Sequence, residues 1–248
     1  MREASTRRSR GENLSTIPSR VQIKLNQASE LYPKIVSSCV RYLELPSSQI
    51  LEEIGSYIGS MVNNLRSALN YAMQDFCEGH LRNILSPRDY KSLNRDFPYG
   101  KSKAEFERKR IIEPIANHFK DIYNFIERIQ PYHNKNAWLW YLMRISNIDK
   151  HITINEVATP MPTCVALRDS KFRAKIFGDK VMVSHSDGSV SVHTTPCFIE
   201  PYQMFASSGG KWILFLISID NQNLGLMRFV TDVNHGVSRL ISEFYDLL

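Results

Sequence analysis

The segment Arg144-Ile-Ser-Asn-Ile-Asp-Lys-His151 gathers Arg, Asn, Asp, Lys and His within eight residues, directly after the apolar run Ala137 to Met143. On a helix, offsets of 0, +3 and +7 share one side, so Arg144, Asn147 and His151 form a polar stripe. Those residue types suit a phosphodiester. Imidazole titrates near neutral pH, so His151 can act as general base toward a ribose 2′-hydroxyl. The Arg144 guanidinium can hold the phosphate and stabilise charge on its oxygens. Asn147 can orient the imidazole or the phosphate. This chemistry uses no metal and leaves a 2′,3′-cyclic phosphate and a 5′-hydroxyl. The same residues equally suit a hydrogen-bonded strut between helices.

A second polar stripe, Asn63, Arg66 and Asn70, lies on an earlier helical segment. If the two helices pack antiparallel, Arg66 reaches Asp149 and Asn70 reaches His151, with Lys150 adjoining. A semi-buried network of this kind must be nearly satisfied, because each orphaned polar group costs about 1–3 kcal/mol. It either supports the reacting groups or holds two helices in register.

The net charge of +6 is unevenly placed. Residues 1–24 hold six basic side chains against Glu3 and Glu12. Residues 82–110 hold nine basic against four acidic, among them Arg88, Lys91, Arg95, Lys101, Lys103, Arg108, Lys109 and Arg110. Basicity confined to one tail and one segment suits a polyanion such as RNA, and it also suits solvated surface.

Other candidates are weaker. His80 and His118 lack partners at metal-ligand spacing. His185 and His193 flank a hairpin and are read as cross-strand surface histidines. Trp138, Trp140 and Tyr141 are placed to stack bases or to start a core helix. No Gly-rich phosphate loop or Gly-x-Ser-x-Gly element is present. Cys39, Cys77, Cys164 and Cys197 are dispersed, without a CxxC pair, and read as thiols of a reducing compartment. No apolar run reaches the roughly 18–20 residues of a membrane span, and no apolar signal core opens the chain. The expectation is a cytoplasmic protein without a cofactor or metal.

The elements that position these groups follow from periodicity. Residues 1–19 are Ser, Thr and Arg rich and read as a disordered basic tail. Helical spacing covers about 20–45, 48–84, 102–130 and 136–151, with Ser47 or Ser48 as a cap and Pro114 as a kink. Ile54, Ile58, Met61, Val62, Leu65, Leu69, Ala72 and Phe76 form the apolar face of the second. The pattern then shifts to period two. Strands are expected at Cys164–Arg168, Lys171–Phe177, Val181–His185 and Val190–His193, the last two joined by a turn at Ser186-Asp-Gly-Ser189. Trp212–Ile219 should be a central strand, and a helix over 232–248, with Val233, Val237, Leu240, Ile241 and Phe244 as its apolar face, closes the chain. Helices first and strands afterwards argue for α+β: a helical domain over 20–155, then a small antiparallel sheet with a closing helix over 156–248.

Arg-x6-His at a helix end resembles the Arg-x4–6-His pattern of HEPN-domain ribonucleases, and Asn147 to His151 keeps their Asn-x3-His element. Ile145 stands where many of them carry the Asn. Leu65-Arg-Ser-Ala-Leu-Asn70, Phe97-Pro98, Gln130-Pro-Tyr132 and Asn147-Ile-Asp-Lys-His151 also resemble, in the same order, a family of uncharacterised bacterial α+β proteins. There, Asp is usual at Asn70 and Arg at Ile152. The HEPN resemblance implies a four-helix unit, a homodimer with the site at its interface, and a toxin or phage-defence setting with an antitoxin or other protein partner. It also implies an RNA-directed endoribonuclease. The alternative is a non-catalytic binding or assembly module.

Overall fold

The computed structural model describes residues 17–147, 153–159, 164–166, 173–177, 180–185, 187–199, 204–207, 212–219 and 222–248. Most of the expected basic tail falls outside them, as do Asp149, Lys150 and His151. The architecture is α+β. The helices are α1 (Ser19–Ser29), α2 (Leu31–Glu44), α3 (Ser48–Gly79), α4 (Pro87–Ser92), α5 (Lys103–Glu107), α6 (Ile112–His118), α7 (Lys120–Arg128), α8 (Ala137–Asn147) and α9 (Leu226–Tyr245). The strands are β1 (Thr153–Thr159), β2 (Cys164–Ala166), β3 (Arg173–Phe177), β4 (Lys180–Ser184), β5 (Val190–Thr194), β6 (Cys197–Ile199), β7 (Met204–Ala206), β8 (Trp212–Ile219) and β9 (Gln222–Gly225).

The long helix α3 organises the molecule. Ser47 caps it, its hydroxyl accepting from the Gln49 amide at 3.2 Å. The eight apolar residues expected on its inner face are each no more than 2% exposed, so the stripe is covered along its whole length. Helices α1, α2, α8 and α9 and strand β1 all touch it.

Two expected helices are subdivided. Residues 20–45 form α1 and α2 because Pro33 lacks an N–H and its ring crowds the carbonyl four residues back, at Ser29, where α1 ends. Residues 102–130 form α5, α6 and α7. Pro114 falls in the first turn of α6, where its missing N–H costs little. The second break is at Phe119, whose ring lies edge-on to Phe76 at 5.2 Å and to His80 at 5.7 Å. Helix α4 falls between the helical segments expected at 48–84 and 102–130, with Ser86 as its cap and Pro87 in its first turn.

The strands make two antiparallel sheets rather than one. In the larger, β8 pairs with β1 from Thr153↔Ser218 to Thr159↔Trp212 and takes β7 and β9 on its other edge, with β6 beyond β7. This is the central position expected for Trp212–Ile219. The smaller sheet has the order β2-β3-β4-β5. Its β4–β5 hairpin turns at Gly188, whose φ of +85° favours glycine.

One core joins the helices to the larger sheet. Phe205, Phe215, Ile217 and Ile219 share it with α3 and with the expected α9 face of Val233, Val237, Leu240, Ile241 and Phe244. The Tyr245 hydroxyl donates to Asp75 Oδ2 at 2.7 Å, and Arg20 pairs with the same carboxylate, tying α1, α3 and α9. Burial, then that bond to Asp75, pushes the Tyr245 phenol upward. Helix α9 accepts Trp138 of α8 at Gly236, where a Cβ would stand 2.7 Å from the indole. Among the described residues no helix is long and apolar enough to cross a membrane.

Candidate nucleic-acid interface

The two polar stripes meet. Arg66 Nη1 donates to Ser146 Oγ at 2.9 Å and to Asn147 Oδ1. Ser146 Oγ donates in turn to the Met143 carbonyl at 2.9 Å. Asn70, one turn further along α3, shares a cleft with Met143, one turn earlier in α8. Helices α3 and α8 thus run antiparallel, whereas the expected pairs, Arg66 with Asp149 and Asn70 with His151, rise together in number as parallel helices would. The partners anticipated for Arg66 and Asn70, Asp149 and His151, lie outside the described residues. Within them, Arg66 engages Ser146 and Asn147, and Asn70 Oδ1 accepts from the Phe97 amide at 3.0 Å. Ser146 was overlooked because a serine beside a charged stripe carries no distinctive signal. Arg144 and Asn147 are exposed on the last turns of α8.

A cleft of about 330 Å³ opens beside this junction. Its floor is Met143, Ile111 and Phe97. Its rim carries Arg66, Arg108, Lys109 and Arg110 against one carboxylate, Asp96. Four separate segments build it, α8 giving only Met143 of the floor. Helix α3 supplies Arg66 and Asn70. The break between α5 and α6 supplies the three consecutive cations, so residues read as a helix face are a turn. Phe97 to Tyr99 form the remaining wall.

A buried side chain holds that wall. Gln130 is 0% exposed. Its Oε1 accepts from the Gly100 amide at 2.9 Å, and its Nε2 donates to the carbonyls of Pro98 at 3.1 Å and Ile126 at 2.9 Å. The peptide groups on both sides of Tyr99 are thereby fixed to the end of α7. Gly100 is required here, since a Cβ would lie 2.5 Å from the Phe106 amide nitrogen. In the sequence Gln130 stood out only as part of the Gln130-Pro-Tyr132 motif.

The eight nominated cations divide. Arg108, Lys109 and Arg110 line the cleft. Lys101 stands over the Trp140 ring at 5.6 Å, and Lys109 over Tyr99 at 5.7 Å. Arg95 is committed to Tyr90 and Glu78, each at 3.4 Å, and its hydrogen bond to Tyr90 raises its pKa. Lys103 faces Glu107 at 3.9 Å. Arg88 and Lys91 are exposed on α4, away from the cleft lining.

The other candidates are placed as follows. His80 stacks on Phe76 at 5.3 Å, and His118 is exposed at the end of α6. His185 and His193 do meet, through Ser191 Oγ at 2.9 and 3.0 Å. A hydroxyl donates only once, so at least one of the two imidazoles must donate to it. Among the described residues no three His, Cys, Asp or Glu side chains group as metal ligands. Cys39 and Cys77 are buried thiols, and desolvation pushes Cys77 up to about 12 and Cys39 further, which suppresses the reactive thiolate. Cys197 is half-buried.

Chemically, the arrangement offers concentrated positive charge, carboxamides that both donate and accept, and aromatic faces around one cleft. Set against known proteins, the chain matches no family model, no curated protein and no solved structure.

Proposed function

We propose that this chain is an RNA-directed protein that seats a phosphodiester in the cleft and cleaves it without metal, in the manner of the HEPN ribonucleases it resembles. The observation that carries this reading is the cleft with four cations and one acid, linked through Arg66 directly to Asn147 on the Arg144 stripe. In this scheme Arg66, Arg108, Lys109 and Arg110 gather phosphates, and Arg144 neutralises the reacting one. His151 takes the proton of the 2′-hydroxyl as its oxygen attacks phosphorus. The 5′-oxygen leaves and is protonated, and a cyclic phosphate remains. A homodimer would place two copies of this stripe in one interface. A toxin or phage-defence setting, with an antitoxin or other protein partner, accords with that activity.

The test is incubation of the protein and its His151→Ala variant with mixed cellular RNA, without divalent metal. The expected result is 2′,3′-cyclic phosphate ends from the parent alone, with the variant still folded. A second reading, a non-catalytic assembly module, is favoured by the engagement of Arg66 with Ser146 and Asn147, which is what a strut would do. It predicts no cleavage by either protein and a lowered melting temperature for His151→Ala.

A further inference from the structure

Two aromatic rings on this face, Trp140 and Tyr99, are only partly buried, Tyr99 with its body against the core. Trp140 is half-buried and lies on the same side of α8 as Arg144 and Asn147, at offsets of four and seven. Tyr141 contacts it edge-on at 4.8 Å, and the Tyr141 hydroxyl donates to Gln222 Oε1 at 2.6 Å, which braces the pair. Tyr99 stands in the cleft wall, with both flanking peptide groups clamped by Gln130. Each ring has one lysine above it: Lys101 over Trp140 and Lys109 over Tyr99. Trp138, on another side of α8, packs against Gly236.

A pre-positioned ring with a cation at its face, beside a phosphate-binding cleft, is the arrangement that accepts an unpaired base. An exposed cation–π contact is weak enough for the lysine to leave as a base arrives, and its ammonium then meets the adjacent phosphate. A duplex offers no free base faces to such rings, and the deep major groove of A-form RNA is closed to side chains. We infer that the ligand of this surface is single-stranded RNA, with Tyr99 and Trp140 as stacking platforms that discriminate against duplex. This inference rests on the RNA reading of the same cleft and adds the form of RNA that fits it.

The test uses 2′-O-methylated RNA of about twelve nucleotides, which cannot be cleaved by its own 2′-oxygen. It is offered as a single strand, as a duplex and as an abasic strand, at low salt, with binding read by anisotropy. The expected result is at least about tenfold preference for the single strand over both others, the modest end of what base stacking contributes. Trp140→Leu should remove about tenfold of the single-strand affinity and leave duplex binding unchanged, while Trp140→Phe should retain most of it. Single-stranded RNA should quench indole emission in the parent and much less in Trp140→Phe. Equal binding of all three probes, abolished by the Arg108→Ala/Arg110→Ala double variant and untouched by Trp140→Leu, would overturn the stacking inference and leave the RNA reading standing. No binding of any probe by the parent would overturn both.

Discussion

Replacing Gln130 tests how the cleft wall is held. The side chain is fully buried and makes three hydrogen bonds, to Gly100, Pro98 and Ile126. Leucine has nearly the same volume and none of the polar atoms. At about 1 kcal/mol net per bond, Gln130→Leu should cost about 3 kcal/mol. Fully orphaned backbone groups would cost more, but the 98–100 segment can move toward water and recover part of that. For a chain of this size each kcal/mol corresponds to about 2–4 °C, so the melting temperature should fall by about 6–12 °C. The Gly100 amide should lose its protection from hydrogen exchange. Gln130→Glu sharpens the argument, because an introduced carboxylate oxygen would face two carbonyls. Burial and those carbonyls favour the neutral acid, so its folded pKa must rise above the unfolded value of about 4.3. A carboxyl with a raised folded pKa costs nothing extra while protonated in both states. Its penalty grows as pH rises through the unfolded value and is complete above the folded one. Gln130→Glu should therefore approach the parent in acid and fall away from it at neutral pH. Melting within about 1 °C of the parent for Gln130→Leu, with Gly100 exchange unchanged, would refute the reasoning, since a loss of that size is several-fold below the smallest expected.

Glu53 is held below the usual carboxylate range by its hydrogen bond to Tyr57, then by those from Arg41 and Ser38, against some desolvation. A depressed acid stabilises the fold above its unfolded pKa and loses that contribution as pH falls through the folded one. The melting difference between parent and Glu53→Gln should thus be greatest near neutrality and vanish in acid, as a pH series of thermal melts would show. Gly236→Ala gains about 1 kcal/mol of helix propensity but drives a methyl into Trp138, an overpacking cost of about 1–3 kcal/mol. Denaturant unfolding should show net destabilisation of about 1 kcal/mol, together with altered near-ultraviolet dichroism. Asn70→Asp keeps an acceptor for the Phe97 amide and adds negative charge to the cleft. Its melting temperature should stay near that of the parent while low-salt RNA affinity drops several-fold.

How far the residues disclose this molecule depends on the range of the interaction. Short-range periodicity located the α3 stripe from Ile54 to Phe76, the α9 face and the hairpin at Gly188, because burial of one face leaves its period in the residue order. The division at Ser29 was legible too, since Pro33 lies four residues beyond it, but the uninterrupted apolar pattern masked it. The break at Phe119 carries no proline or glycine and is explained only by where its ring sits. Strands β6, β7 and β9 are short, and their place is set by pairing with neighbours that residue order does not identify. The polar stripes were visible as helical spacing, but the bonds they make were not: Arg66 engages Ser146 and Asn147, and Asn70 the Phe97 amide, where Asp149 and His151 were expected. The cleft was not visible. Its walls come from α3, residues 97–99 and the turn at 108–110, and only tertiary packing brings them together. The same limit hid Gln130, whose three partners lie up to 32 residues away.

The bond between Tyr245 and Asp75 spans 170 residues. During synthesis, α3 leaves the ribosome with its apolar stripe complete, while α9, which covers part of it, has yet to be made. At roughly 5–20 residues per second, α3 waits on the order of ten to thirty seconds for that cover. Closing so long a loop costs chain entropy that no local contact repays in advance. A messenger that stalls between α3 and α9 therefore leaves a sticky, unfinished chain, and the pace of translation over the β half sets how long other nascent chains can reach it.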